Sequence, residues 1–294
     1  MKQTILGAIY LSLTASIWGG MYVVSKYILD FIPPLTLVWL RFIIAFVVLY
    51  GILKLAEKKQ KKKVTIRKKD WLLFAWIGFI GYFISITCQF IGTKLSDAHT
   101  GSLVTSATPA FMAIFAALIL KEKLTAHRLL STIIATIGVI IVIGWDIEIG
   151  SYFIGTIILV GAAITWALLS IYVKIASIQF SSLVITTYAI FFSLFFITPF
   201  MIGELQTSSI GTVNTYVILG VLYLGIVSTA GAFFLWNKGL ELLDASIGSL
   251  FFFFQPIVGS LLGWLLLNET LNSNFFIGGI LIICSVLITT FEKK

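Results

Sequence analysis

Thr14, Trp18, Tyr22 and Lys26 recur at intervals of four, and Trp166, Ser170 and Lys174 repeat that spacing later in the chain. Tyr82, Ser85, Gln89 and Thr93 fall along one helical face, and Gln255 has a similar setting. These groups hydrogen-bond and stack but break no bonds. Aromatic rings with polar tips suit an amphipathic or aromatic small molecule. Packing against neighbouring helices is the alternative use of the same stripes. Catalysis has no comparable cluster. The two histidines, His99 and His127, stand far apart, and no metal or phosphate motif is present. The residues call for no cofactor and no metal, and the chain does not read as an enzyme.

The elements carrying these stripes are hydrophobic throughout. Of 294 residues, 59% are hydrophobic and 11% charged, with a mean hydropathy of +1.07. A soluble domain is nearer 25% charged. Apolar runs near 4–28, 34–55, 71–93, 98–120, 128–145, 152–174, 182–203, 213–237, 244–267 and 275–291 are each suited to crossing ~30 Å of hydrocarbon as a helix. The reading is an all-α polytopic membrane protein of ten transmembrane helices. The first run is too long for a signal-peptide core and reads as a retained helix. Cys88 and Cys284 fall within apolar runs and predict buried thiols without a disulfide.

The net charge of +8 does not point to nucleic acid, because nine of the twenty basic residues lie between Lys54 and Lys69. Placing both termini in the cytoplasm puts 17 Lys and Arg inside and 2, Lys26 and Lys94, outside, with Arg41 within the second span. That bias predicts N-in and C-in. Anionic lipid is a secondary partner for the basic loop. Spans five and ten carry few polar groups, leaving a face for lipid or for a second copy as a homodimer.

Shifting the sequence by 147 lays Gly92–Leu124 over Gly239–Leu271 with twelve identities in 33 positions. These include Asp97/Asp244, Ala98/Ala245, Gly101/Gly248, Ser102/Ser249, Pro109/Pro256 and Glu122/Glu269. A shift of 148 aligns Trp18/Trp166 and Lys26/Lys174. Each half, 1–147 and 148–294, holds five spans. An odd number inverts the second half, a plan frequent among secondary transporters.

With "SIWGGMYVVSKY" in span one, "LRF" at Leu40–Phe42 and the Asp-Ala…Gly-Ser-Leu…Pro…Glu pattern in both halves, the chain resembles the EamA family of the drug/metabolite transporter superfamily. The second-half copy of span one, "AITWALLSIYVK", lacks the Gly pair after its Trp. The resemblance implies export of amino acids or other small metabolites through a bacterial cytoplasmic membrane. Efflux of lipophilic cations or drugs is the alternative, and the lack of a carboxylate deep in any span counts against it.

On that plan, Trp18, Tyr22, Tyr82, Gln89, Ser106, Trp166 and Gln255 are expected to line a cavity. Pro109 and Pro256, each removing one backbone bond, are expected as hinges or static kinks. Arg41 either snorkels to the outer face, bonds to carbonyls or attracts a substrate carboxylate. Lys26 and Lys174 are expected to snorkel. Asp97 and Asp244 are expected as helix N-caps, and Glu122 and Glu269 as boundary anchors. Asp97, His99 and Glu269 are also candidates for proton coupling.

Overall fold

Ten helical rods make up the computed structural model, which describes residues 2–60, 65–121, 126–143, 150–242 and 250–290. They are α1 (Lys2–Ile28), α2 (Pro34–Gln60), α3 (Lys68–Leu95), α4 (Ala98–Ile119) and α5 (Ala126–Ile143). The second set is α6 (Ser151–Ala176), α7 (Ser182–Thr207), α8 (Thr215–Leu222, continuing to Ala232–Leu242), α9 (a 3-10 turn at Leu250–Phe253, then Phe254–Leu267) and α10 (Ser273–Thr290). Seven are long and apolar enough to cross a bilayer, and α9 and α10 are shorter apolar helices. Large side chains such as Val47, Leu72, Phe195, Leu219 and Leu266 point outward, as expected of a bundle solvated by lipid. Cys284 is exposed and Cys88 half-buried, so the expectation of buried thiols fails for Cys284.

Short polar residues start the helices. The Asp97 carboxylate accepts from the Thr100 amide at 3.0 Å, Asn214 from Val217 at 3.0 Å and Asn272 from Phe275 at 2.8 Å. Each satisfies an N–H that the first helical turn leaves free. After α4 and α9 the chain turns through the left-handed region at Lys121 (φ 57°) and Asn268 (φ 54°). These two positions are 147 apart, so both halves stop the same helix by the same device.

The packing follows the exchange of α1–α5 for α6–α10. Helix α1 lies against α8 and α9, as α6 lies against α3 and α4; α2 packs on α7, α4 on α9 and α5 on α10. Close approaches repeat in the same way. A Cβ on Gly78 of α3 would collide with the Ala189 carbonyl of α7, and one on Gly225 of α8 would press on the Arg41 carbonyl of α2 at 3.2 Å. Small residues let membrane helices meet this closely. The match also makes Ala189 the second-half counterpart of Arg41.

Two features depart from ten simple helices. Wide π turns run through Gly78–Ser85 in α3 and Tyr223–Gly231 in α8, again about 147 apart. Helix α4 breaks at Ser106 and Ala107, whose ψ angles are −9° and −6°. Pro109 is therefore at the start of a renewed helix, Thr108–Ile119, rather than inside a continuous one. The Thr105 carbonyl, deprived of a partner by Pro109, accepts from the Thr108 hydroxyl at 2.6 Å. Pro256 likewise stands just beyond the 3-10 turn of α9. Pro199, which the sequence reading did not single out, is the proline inside α7.

Candidate functional site

At the centre, where the halves meet, a cavity of about 30 Å³ is lined from α1, α2, α3, α4, α6, α8 and α9. Its walls include Trp18 and Trp166, which are repeat-related, and Thr108 and Gln255, which are also repeat-related. One side is aromatic. Trp18 meets Trp166 edge-on at 5.9 Å between centroids, Phe233 at 5.7 Å and Phe252 at 6.2 Å, and Trp166 stacks on Phe233 at 5.4 Å.

The other side is polar, and its hydrogen bonds have a readable direction. The Thr105 hydroxyl donates to the Gly101 carbonyl at 2.7 Å. It must then accept from Tyr22 Oη at 2.6 Å and from Gln255 Nε2 at 2.8 Å. With its one proton directed at Thr105, Tyr22 accepts from Gln89 Nε2. The chain thereby fixes the Gln89 amide, and its Oε1 is left buried without a partner among the described residues.

Arg41 is 1% exposed and lines the same cavity. Its Nε and Nη2 both donate to Thr229 Oγ1, at 2.9 and 2.7 Å, and among the described residues Nη1 reaches only Met21 Sδ, at 3.5 Å. The guanidinium lies 4.9 Å from the Phe90 ring centroid. No carboxylate pairs with it among the described residues. The wide turn of α8 supplies this setting, since Thr229 Oγ1 donates to the Leu224 carbonyl at 2.7 Å, five residues back. The neighbouring Ser228 carbonyl accepts from Trp18 Nε1 at 3.2 Å. Such turns often mark functional positions.

A second polar cluster closes the end of the bundle that carries the α3–α4 turn. Glu269, on the α9–α10 connection, accepts from the amides of Ala98 and His99 at 2.7 and 3.1 Å and pairs with His99 Nδ1 at 2.9 Å. Burial pushes the Glu269 carboxyl up, but the His99 ring and the two amides outweigh it and hold it below its usual range. Asp97, His99 and Glu269 have donor atoms within 4.8 Å of one another. Both Glu269 oxygens are already used by N–H donors, so the arrangement is a clasp between halves. Lys26 of α1 donates to the carbonyls of Thr93 (3.1 Å), Lys94 (2.9 Å) and Ser96. The ammonium thus sits on the negative end of the α3 dipole.

The sequence matches the EamA-like transporter family over residues 5–144 and again over 153–291. The chain belongs to the EamA-like transporter family. It is 28% identical over 291 residues to the uncharacterized transporter YetK of Bacillus subtilis (strain 168), covering 97% of this chain and 87% of that one. A probable amino-acid metabolite efflux pump of Salmonella typhimurium (strain LT2) is 26% identical over 289 residues, covering 95% and 93%. A solved structure described as the crystal structure of a protein superposes with a TM-score of 0.66 at 20% identity, over 98% of this chain and 97% of that one, and so shares the fold. EamA-like proteins are transporters, so this chain is a multi-pass membrane transporter rather than an enzyme.

Of the residues expected at an EamA-like central cavity, Trp18, Gln89, Trp166, Gln255 and Arg41 line it. Tyr22 stands one bond behind, through Gln89 and Thr105. Tyr82 packs behind Trp166 and Phe233, at 6.2 and 5.3 Å. Ser106 does not line the cavity and bonds back to the Leu103 carbonyl at 2.6 Å. Pro109 and Pro256 stand next to cavity residues Thr108 and Gln255. Asp97 caps α4 as expected, while Glu122 and Asp244 lie outside the described residues. Met21, Ile86, Ala162, Phe233 and Phe252 were not foreseen in the wall. Phe252 is hidden in the run Phe251–Phe254, where sequence cannot tell which ring faces inward.

Proposed function

We propose that the chain exports amino acids or related small metabolites across the bacterial cytoplasmic membrane, with both termini and the basic loop inside. The halves 1–147 and 148–294 rock about the central cavity, and the α3–α4 end is the outer gate. The observation that carries this reading is the cavity itself, at the meeting of the halves, walled by the repeat-related pairs Trp18/Trp166 and Thr108/Gln255. The Salmonella relative, a probable amino-acid metabolite efflux pump, supports the substrate class. The charge bias of 17 to 2 supports the orientation.

Proteoliposomes loaded with amino acids test the reading. Counterflow is expected, and it should fall at least ~10-fold in Trp18→Ala and Gln89→Ala while both proteins remain monodisperse. Uptake of cationic dyes without counterflow of any amino acid would instead establish the lipophilic-cation alternative. Labelling of a cysteine at position 60 from outside intact cells would reverse the orientation.

A further inference from the structure

We infer that Arg41 anchors the carboxylate of the transported molecule and that Gln89 Oε1 receives its ammonium, so the ligand is a small α-amino-acid zwitterion whose side chain occupies the aromatic wall. The inference rests on the exporter reading above and adds which atoms recognise which group.

The guanidinium has five N–H donors. Two end on one hydroxyl oxygen and one on a thioether, a weak acceptor. The remaining two meet no acceptor among the described residues. A buried charge without a counter-charge is strongly unfavourable, and a charge in the membrane interior marks a ligand path or relay by default. Forked N–H donors match a carboxylate in two parallel bonds. Gln89 Oε1 is the complementary group: a buried acceptor without a partner among the described residues, on a residue that lines the same cavity, its amide oriented by a proton chain that ends at the Gly101 carbonyl. One cavity thus offers unused donors, an unused acceptor and aromatic faces, which also attract ammonium groups.

The asymmetry of the repeat matters as much as its symmetry. Tryptophans face each other across the halves, but the counterpart of Arg41 is Ala189, fully buried. The site therefore has one anionic-ligand end, which argues against dicarboxylates and against lipophilic cations. A cavity of about 30 Å³ has room for about two waters. The ligand must accordingly enter as the helices part, and the unused donors are what it would find.

Binding can be read by quenching of tryptophan fluorescence in purified protein in lipid nanodiscs. The probes are L-phenylalanine, L-leucine, phenylalanine methyl ester, phenethylamine and phenylpyruvate. The parent amino acids are expected to bind, with each masked or missing charged group weakening binding about 10- to 100-fold. Arg41→Gln should erase the difference between phenylalanine and its ester, and Gln89→Leu the difference between phenylalanine and phenylpyruvate. Should the ester and phenethylamine bind the parent protein as well as phenylalanine, the Arg41 anchor is wrong while the exporter reading stands. This comparison needs no variant, so misfolding cannot obscure it. If none of the probes binds but another of the twenty amino acids does, and its amide binds equally well, the anchor is again wrong. If no amino acid binds and a cationic dye does, both readings fall.

Discussion

The α3–α4 end and the central cavity treat buried charge in opposite ways. At the end, Glu269 meets the positive terminus of α4, Lys26 the negative terminus of α3, and Glu204 of α7 the first amides of α2 at 3.1 and 2.8 Å. Each charge complements a helix dipole in the opposite half or in a neighbouring helix. At the centre, Arg41 has a hydroxyl, a sulfur and a ring face, and no carboxylate among the described residues. The difference separates two uses of polarity in a membrane bundle. Satisfied charges hold elements together, and an unsatisfied one is reserved for something that arrives later.

The contrast breaks most sharply at Glu269. Replacing it with Ala strands two amides and an imidazole, and charge-assisted bonds contribute about 1.5–3 kcal/mol each. The expected result is an opening of the α3–α4 end by about 3 kcal/mol, or ~100-fold in population. Maleimide reactivity of Ser102→Cys, in a background without Cys88 and Cys284, reads it. Unchanged reactivity would mean that the clasp does not hold the gate.

Lys26→Met should open the same end less, by about 1–2 kcal/mol, because neutral carbonyls at a helix terminus can turn to water. The same maleimide assay would show an order equal to or above that of Glu269→Ala if the ranking is mistaken.

Acidity sharpens the comparison. A carboxyl held below its usual range stabilises the folded clasp above about pH 4.3 and loses that contribution as pH falls through its lowered value. The carboxylate form of Glu269 that the clasp needs should therefore persist down to about pH 4 and fade only below it. Loss between pH 7 and 6 in the parent, abolished by Glu269→Gln, would contradict the direction of that shift.

The smallest effects are expected at the prolines. Pro109→Ala and Pro256→Ala should bias the protein toward opposite facings, each by about 0.5–1 kcal/mol. The shift is small because the break at Ser106–Ala107 and the Thr108–Thr105 bond persist without the proline. Shifts of the same sign in both variants would leave static kinks.

Much of this was legible in the sequence, for physical reasons that differ by residue. The ten spans follow from hydropathy, and the duplication from identities such as Asp97/Asp244 and Glu122/Glu269. Trp18, Gln89, Trp166 and Gln255 could be gathered because a polar group at bilayer depth must face protein or water. Ser106 went astray because its face was assigned on an unbroken helix, and the break turns it back on Leu103. Thr229 was invisible as the Arg41 partner, since a wide turn leaves no mark in residue type. The clasp was half legible: Asp97 could be read as a cap, but the bonds from Ala98 and His99 to Glu269 span the two halves and depend on their docking.

The wide turns have a consequence for how the chain tolerates lost residues. An α-helix advances about 100° per residue, so a one-residue deletion ordinarily swings everything beyond it to another face. A π turn already holds one residue more than an α turn. Removing one from Gly78–Ser85 would let the helix relax to ordinary winding, with Trp71 and Gln89 still facing as before. The same deletion at Cys88 would carry Gln89 and Thr93 away from the centre. These two stretches, one in each half, are spare links in the chain, and a scan of single-residue deletions should find its survivors there.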